Sequence, residues 1–357
     1  MERAAWSRDG RAIYFIANVG VTSHLASVDP ASGQVTQLTR GDHSLQGWQY
    51  VASADRHIFQ VDEPTRFGDV WTLAATPGAT MARVTGVFDH VAGEFEIPRQ
   101  ERVTWKGRDG VTIEGLLYYP IGYQPGTRYP LVVHTHGGPA ASDKFGFSGW
   151  TSFVQVLAGR GWAVLKPNYR GSTGYDDGFL RDMVGHYFNE SPHDVLLGVD
   201  ALIARGLADP DRLVKTGWSA GGHLTNKIIT MTGRFKAASS GAGAANWISM
   251  YSQSDMRANR EPWFGGTPWQ KDAPIAAYWD HSPLKDVAAV TTPTLFIVGE
   301  NDPRVPLPQS VEMYRGVKAT GTPTRLYVAP REGHGRTSAP AGQTLCGAAA
   351  CRLPMID

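Results

Sequence analysis

Chemistry in this chain is expected to centre on Ser219. It sits in Thr216-Gly217-Trp218-Ser219-Ala220-Gly221-Gly222, between the apolar run Arg212-Leu213-Val214-Lys215 and a helix-compatible stretch from His223 to Met231. A serine hydroxyl is a weak nucleophile until a base takes its proton and an acid orients that base. Asp302 follows the apolar run Thr294 to Val298, and His334 follows Thr324 to Val328. Each therefore stands just past a predicted strand, in the chain order Ser, Asp, His. Asp280, His281 and Asp286 are rivals, but they lie in a segment without strand ends.

An oxyanion formed at Ser219 needs two backbone N–H donors. One expectation is Ala220, the residue after the nucleophile. The other is Gly138, in the loop His134-Thr135-His136-Gly137-Gly138-Pro139, where the missing Cβ allows close approach. His134 and His136 lack a third nearby ligand for zinc. Gly241 to Asn246 lacks the final glycine of a dinucleotide fingerprint. Neither a metal nor an organic cofactor is expected.

The elements that position these residues alternate. Val103-Thr104-Trp105 and Ile113 to Tyr119 read as antiparallel strands around the turn Asp109-Gly110. Strands are predicted at Leu131 to Val133, Trp162 to Leu165, Leu213-Val214, Lys236 to Ser240, Thr294 to Val298 and Thr324 to Val328. Helices fit Trp150 to Ala158, Asp194 to Ala204 (after the start signal Ser191-Pro192) and Ser310 to Val317. Such alternation builds a mostly parallel sheet with helices on both faces. With a Gly-x-Ser-x-Gly turn between strand and helix, this is the α/β-hydrolase fold. Gly217 and Gly221 then let strand and helix approach closely. Residues 246 to 290, rich in Trp, Pro and Gly, read as a surface excursion near the site.

Residues 1 to about 97 repeat internally. Ser7-Arg8-Asp9-Gly10 before Ala12 to Phe15 recurs 46 positions later as Ser53-Ala54-Asp55-Arg56 before Ile58-Phe59. Leu25 to Val28 recurs as Val70 to Leu73, and Gln37-Leu38-Thr39 as Arg83-Val84-Thr85. Several strands per repeat of this period indicate β-propeller blades, two of them; a small β-sandwich is the alternative. The domains expected are therefore residues 1–97 as a partial propeller, 98–338 as the hydrolase and 339–357 as an irregular tail.

Composition narrows the classes. The 357 residues carry 34 Lys+Arg against 33 Asp+Glu, a formal charge of +1, which points to neither nucleic acid nor an anionic membrane. No apolar run is long enough to span a bilayer. Cys346 and Cys351, close together near the end, exclude a disulfide framework and are too few for structural zinc.

Read in order, His136-Gly137-Gly138-Pro139, Asn168-Tyr169-Arg170-Gly171-Ser172-Thr173-Gly174-Tyr175, Gly217 to Gly222, Asp302-Pro303-Arg304-Val305-Pro306 and Glu332-Gly333-His334-Gly335 resemble the prolyl oligopeptidase family of serine peptidases, in its acylaminoacyl-peptidase and dipeptidyl-peptidase-like branch. The resemblance implies a peptidase acting on short peptides, screened for size by the propeller. It supports Ser219, Asp302 and His334 as a triad, with Gly138 and Ala220 as oxyanion donors. It also implies that Trp247 walls an apolar S1 site, the alternative being a buried core aromatic, and that Arg304 bonds a substrate carbonyl. Two departures, only two blades and no helix after His334, lead to the expectation of a truncated reading frame, frame-shifted just after Gly335.

The function expected is peptide hydrolysis through an acyl-enzyme. A carboxylesterase with the same triad is the alternative, as is an inactive remnant or binding module. Compartment and oligomeric state, a homo-oligomer included, stay open.

Overall fold

A computed structural model describes residues 4–147 and 152–335. The expected tail 339–357, both cysteines and the predicted helix start at Trp150 lie outside the described residues.

Two four-stranded antiparallel sheets come first. One joins β1 (Ala5–Trp6), β2 (Ile13–Val19), β3 (Thr22–Val28) and β4 (Val35–Gln37) in sequential order. The second joins β5 (Ser44–Val51), β6 (Arg56–Glu63), β7 (Arg66–Ala74) and β8 (Ala82–Arg83) in the same way. The repeat seen in sequence is a repeat of hydrogen bonds. Leu25 O accepts from Leu38 N and Thr39 N, and Val70 O accepts from Val84 N and Thr85 N. The threonine hydroxyls complete the pattern: Leu25 N donates to Thr39 Oγ1 at 3.0 Å and Val70 N to Thr85 Oγ1 at 3.1 Å. Tyr14, Leu25, Leu45, Phe59, Val61 and Leu73 form the core these sheets share. A short helix, α1 (Val91–Glu94), leads out.

The third sheet has eight strands: β9 (Gln100–Lys106), β10 (Thr112–Tyr118), β11 (Tyr129–Thr135), β12 (Ala163–Asn168), β13 (Ala208–Trp218), β14 (Ala237–Gly241), β15 (Thr294–Gly299) and β16 (Thr324–Ala329). Their spatial order is β16-β15-β14-β13-β11-β12-β10-β9. The six from β11 onward pair in parallel, while β9 and β10 form an antiparallel hairpin at one edge. Successive side chains sort to opposite faces, as a strand requires. Leu117, Leu131, Val133, Leu165 and Leu213 join one core cluster, whereas Leu116, Val132, Val164 and Val214 join another. Both faces are thus buried, which is why these strands read as nearly unbroken apolar runs.

The helices are α2 (Ser152–Gly159), α3 (Asp177–Arg181), α4 (Ser191–Ala204), α5 (Ala220–Met231), α6 (Trp247–Gln253), α7 (Arg257–Phe264), α8 (Ile275–Asp280) and α9 (Leu307–Ala319). α4 takes Pro192 in its first turn, where the absent N–H costs nothing, and buries Val195, Val199 and Leu202 on one stripe. α9 starts earlier than expected for the same reason, since its first turn accepts Pro308. The excursion at 246–290 differs from the expectation of a surface segment. It folds as α6, α7, α8 and a 3₁₀ helix (Pro283–Ala289), with Trp247, Phe264 and Tyr278 buried. Its aromatic content drives this, because rings of that size stabilise most when removed from water.

The first sheet docks on the third through the β2–β3 turn. Val21, fully buried, enters the cluster of Val132, Val164 and Val214, and its N–H donates to Glu114 Oε1 at 2.8 Å. Gly20 N bonds Gly174 O and Phe145 N bonds Val21 O. Among the described residues no helix is long and apolar enough to cross a membrane.

Candidate active site

The sheet places its site where strand order reverses. β12 follows β11 on one side and β13 lies on the other, so the loops after β11 and β13 diverge into a crevice at their carboxyl ends. The loop after β11 carries Gly138, and the turn after β13 carries Ser219.

That turn is tight enough to dictate its own sequence. A Cβ on Gly217 would lie 2.2 Å from Gly221 O, and one on Gly222 would lie 2.2 Å from Gly241 O. Gly221 is hemmed in by the carbonyls of Thr135, the last residue of the neighbouring strand, and of His136 just past it. Ser219 itself holds φ 60° and ψ −121°, a region non-glycine residues rarely occupy, at a cost on the order of 1–3 kcal/mol. Its backbone is fixed by Ser219 N to Gly241 O and His223 N to Ser219 O, both 2.9 Å. The strain turns Oγ out of the strand and over the start of α5.

Beneath the turn lies Lys215, fully buried. Its Nζ donates to Thr135 Oγ1 (2.7 Å), Thr216 O (2.8 Å) and Thr225 Oγ1 (2.9 Å). Both threonine hydroxyls donate onward to Gly221 O, at 3.0 and 2.8 Å. Burial pulls the pKa of this amine well down, with no carboxylate among the described residues bonded to it; the three acceptors oppose that fall by occupying all three N–H of an ammonium.

Asp302 and His334 arrive from the ends of β15 and β16. Asp302 Oδ1 accepts from Arg304 N (2.8 Å) and Val305 N (2.9 Å), leaving Oδ2 to meet His334 Nδ1 at 2.8 Å. His334 Nε2 stands 2.9 Å from Ser219 Oγ. Nδ1 faces a carboxylate and so carries the ring proton, which leaves the Nε2 lone pair for the serine hydroxyl. Trp218 Nε1 donates to His334 O at 3.2 Å, tying the histidine loop to the elbow. The two loops are also joined by Asn301 N to Glu332 O at 2.9 Å. Asp280, one of the rivals, pairs with Lys285 at 2.6 Å, and no hydrogen bond joins Asp280, His281 or Asp286 to Ser219.

Gly138, Ser219, Ala220 and His334 open on one pocket of about 230 Å³. Gly138 has φ +123°, which its missing Cβ permits. Ala220 heads α5, where a first-turn N–H has no partner within the helix. His136, beside Gly138, is held by Ser172 Oγ at 2.9 Å and stacks on Tyr169 at 4.5 Å. His134 instead meets Thr216 Oγ1 at 3.0 Å, so the two histidines serve separate contacts.

The pocket wall comes from the region read as an excursion. Trp247, Met250, Tyr251 and Tyr278 line it with Tyr187 and His223. Trp247 lines the pocket and is buried, only 4% exposed. Arg304 reaches the pocket, but its guanidinium is engaged by Asp255 through Nε (2.7 Å) and Nη2 (3.2 Å). His223 is fully buried, its pKa pushed down by that burial to about 3, and its Nδ1 faces Ala244 O at 3.0 Å. Sequence reasoning missed Tyr187, His223, Lys215, Gly222 and Asp255. Only Gly222 carried a readable signal, as a second glycine after the elbow.

The sequence signature of the prolyl oligopeptidase family (Peptidase_S9) matches residues 145–345, more than half of the 357-residue chain. The chain belongs to the prolyl oligopeptidase family. The peptidase YuxL of Bacillus subtilis (strain 168) is 32% identical over 338 residues, covering 93% of this chain and 50% of its own length. The acylamino-acid-releasing enzyme of Sus scrofa is 29% identical over 353 residues, covering 92% of this chain and 46% of its own. The chain thus spans about half the length of the curated relatives it matches. Among solved structures, Pyrococcus horikoshii acylaminoacyl peptidase superposes with TM-score 0.85 at 24% identity, covering 98% of this chain and 55% of that one. A Mycobacterium tuberculosis puromycin-hydrolyzing peptidase gives TM-score 0.79 at 23% identity, covering 97% and 52%. At these identities the superpositions speak for the fold, an α/β-hydrolase sheet preceded by blade-like antiparallel sheets.

Proposed function

We propose that this member of the prolyl oligopeptidase family is a serine peptidase that hydrolyses peptide bonds of short peptides through an acyl-enzyme. The observation that supports it is the continuous relay from Asp302 through His334 to Ser219, with links of 2.8 and 2.9 Å.

In this reading Ser219 Oγ attacks the peptide carbonyl carbon as its proton passes to His334 Nε2. Asp302 stays ionised and stabilises the imidazolium. The N–H groups of Gly138 and Ala220 hold the oxyanion. Collapse of the tetrahedral adduct breaks the C–N bond, and His334 gives its proton to the departing amine. Water, deprotonated by the same nitrogen, then attacks the ester carbonyl and frees the acid and Ser219. Trp247 serves as apolar wall for the side chain beside the scissile bond, and Arg304 as donor to a substrate carbonyl once Asp255 shares it.

The two four-stranded sheets of residues 1–97 act as β-propeller blades flanking a hydrolase unit of residues 98–338. Their sequential antiparallel order and 46-residue repeat support blades over a small sandwich. Short peptides as substrates follow from such a flanking unit, which limits access to the crevice.

A fluorophosphonate probe tests the nucleophile, with labelling of wild type and none of Ser219→Ala expected. Turnover of an N-acyl aminoacyl anilide tests the peptidase. A folded protein that the probe does not label would sink the reading. Hydrolysis of a short nitrophenyl ester without the anilide would make the protein a carboxylesterase.

A further inference from the structure

The Ser219 pocket has a charge pattern that the acid–base relay does not use. Arg257, Arg260 and Arg304 line it, and among the described residues no Asp or Glu does. The first two stand three residues apart on α7, which brings them to one helix face. Of the three, Arg304 alone has a carboxylate partner among the described residues, Asp255. Among the described residues Arg260 contacts neutral groups: Asn259 Oδ1 at 3.0 Å, Gly138 O at 3.3 Å, and the rings of Trp263 and Tyr187, whose centroids are 5.1 and 5.9 Å from the guanidinium carbon. Among the described residues Arg257 makes no ion pair. Glu261, the acid on the same helix, accepts from the Tyr251 hydroxyl at 2.5 Å and does not line the pocket.

Two guanidinium charges, without a counter-ion among the described residues, therefore face a pocket whose other walls include Tyr187, Trp247, Tyr251 and Tyr278. Arg257 is exposed and Arg260 half-buried; at the edge of such a cleft they attract anions, and the planar fork of each matches a carboxylate. The contact to Gly138 O puts Arg260 within one residue of the scissile-bond machinery. We propose that Arg257 and Arg260 form a carboxylate-recognising subsite, so that favoured substrates are short peptides with an anionic group close to the cleaved bond. Resting on the serine peptidase reading, it names that site's substrate class. The carboxylate has two sources, an acidic side chain or the peptide's own C-terminus.

The test uses the full chain and three matched N-acyl peptides: one neutral with an amidated C-terminus, one with the free C-terminal carboxylate, and one amidated with Glu beside the scissile bond. At low salt at least one anionic peptide should exceed the neutral one in kcat/KM by about tenfold, the effect of one charge-assisted hydrogen bond. Which one does so identifies the source. The ratio should shrink in 0.5 M salt and approach unity in the Arg257→Gln/Arg260→Gln variant, with circular dichroism checking its fold. Equal rates for all three peptides, or a preference that survives in the double variant, would overturn the subsite. If no peptide is cleaved, the peptidase reading fails and the subsite is judged by calorimetric binding of the same peptides to Ser219→Ala. Tighter anionic binding there supports it, and equal binding overturns it.

Discussion

Gly221 stands so close to Thr135 that a Cβ added to it would lie 2.0 Å from the Thr135 carbonyl oxygen. The obstacle is backbone on a buried central strand, so neither side can give way by a rotamer change. Gly221→Ala should cost about 3 kcal/mol or more and lower Tm by roughly 5–10 °C. Labelling by a fluorophosphonate should vanish with it. A variant that melts and labels like wild type would show that the elbow is looser than described.

Asp302→Asn tests orientation separately from packing. An asparagine can still accept from Arg304 N and Val305 N, but its amide would face His334 Nδ1 with a donor, forcing the proton to Nε2. We expect kcat to fall by ~10⁴ with Tm little changed. Loss of less than about tenfold would mean that another group orients His334.

Lys215 should tolerate loss of charge better than loss of volume. In Lys215→Met the Thr135 and Thr225 hydroxyls still donate to Gly221 O, and the desolvated amine is gone; stability should be unchanged or raised by ~1–3 kcal/mol. Lys215→Ala leaves a cavity and should destabilise by about 2–4 kcal/mol. Denaturant midpoints of the two variants settle this, and a Met variant as weak as the Ala variant contradicts it.

His223 predicts a direction for acid sensitivity. Burial lowers its folded-state pKa to about 3, below its unfolded value of about 6.5, so between these the unfolded chain binds more protons. Its contribution is complete above pH ~6.5 and is lost as pH falls toward ~3, by up to about 1.4 kcal/mol per pH unit. Urea titrations of wild type and His223→Phe from pH 7 to 4 should diverge accordingly, wild type losing more. Parallel curves would mean His223 keeps an ordinary pKa.

The catalytic candidates were legible because a parallel sheet puts function at strand ends, and strand ends are visible as apolar runs that stop. Asp302 and His334 each follow such a run, and Gly217 and Gly221 announce a turn that leaves no room for side chains. The pocket wall was not legible. Its residues come from α6, α7 and α8, three helices of at most eight residues, too short for a periodic pattern to stand out. Their burial is decided by aromatic packing across the chain, as where Tyr187 meets Trp247 edge-on at 5.0 Å. Lys215 was hidden differently. A lysine in an apolar strand reads as a surface position, and its three oxygen partners come from β11, its own strand and α5.

Val21 gives the molecule a particular kind of wholeness. Its side chain belongs to the same apolar cluster as Val132, Val164 and Val214, although 93 residues separate it from Glu114, whose carboxylate accepts its N–H. The polypeptide between the second sheet and β9 is therefore a tether, not the fastener. Nicking it between Phe88 and Phe95 should yield two fragments that migrate together on a sizing column and part only in denaturant. The two fragments, expressed as separate genes, should complement each other in the same cell.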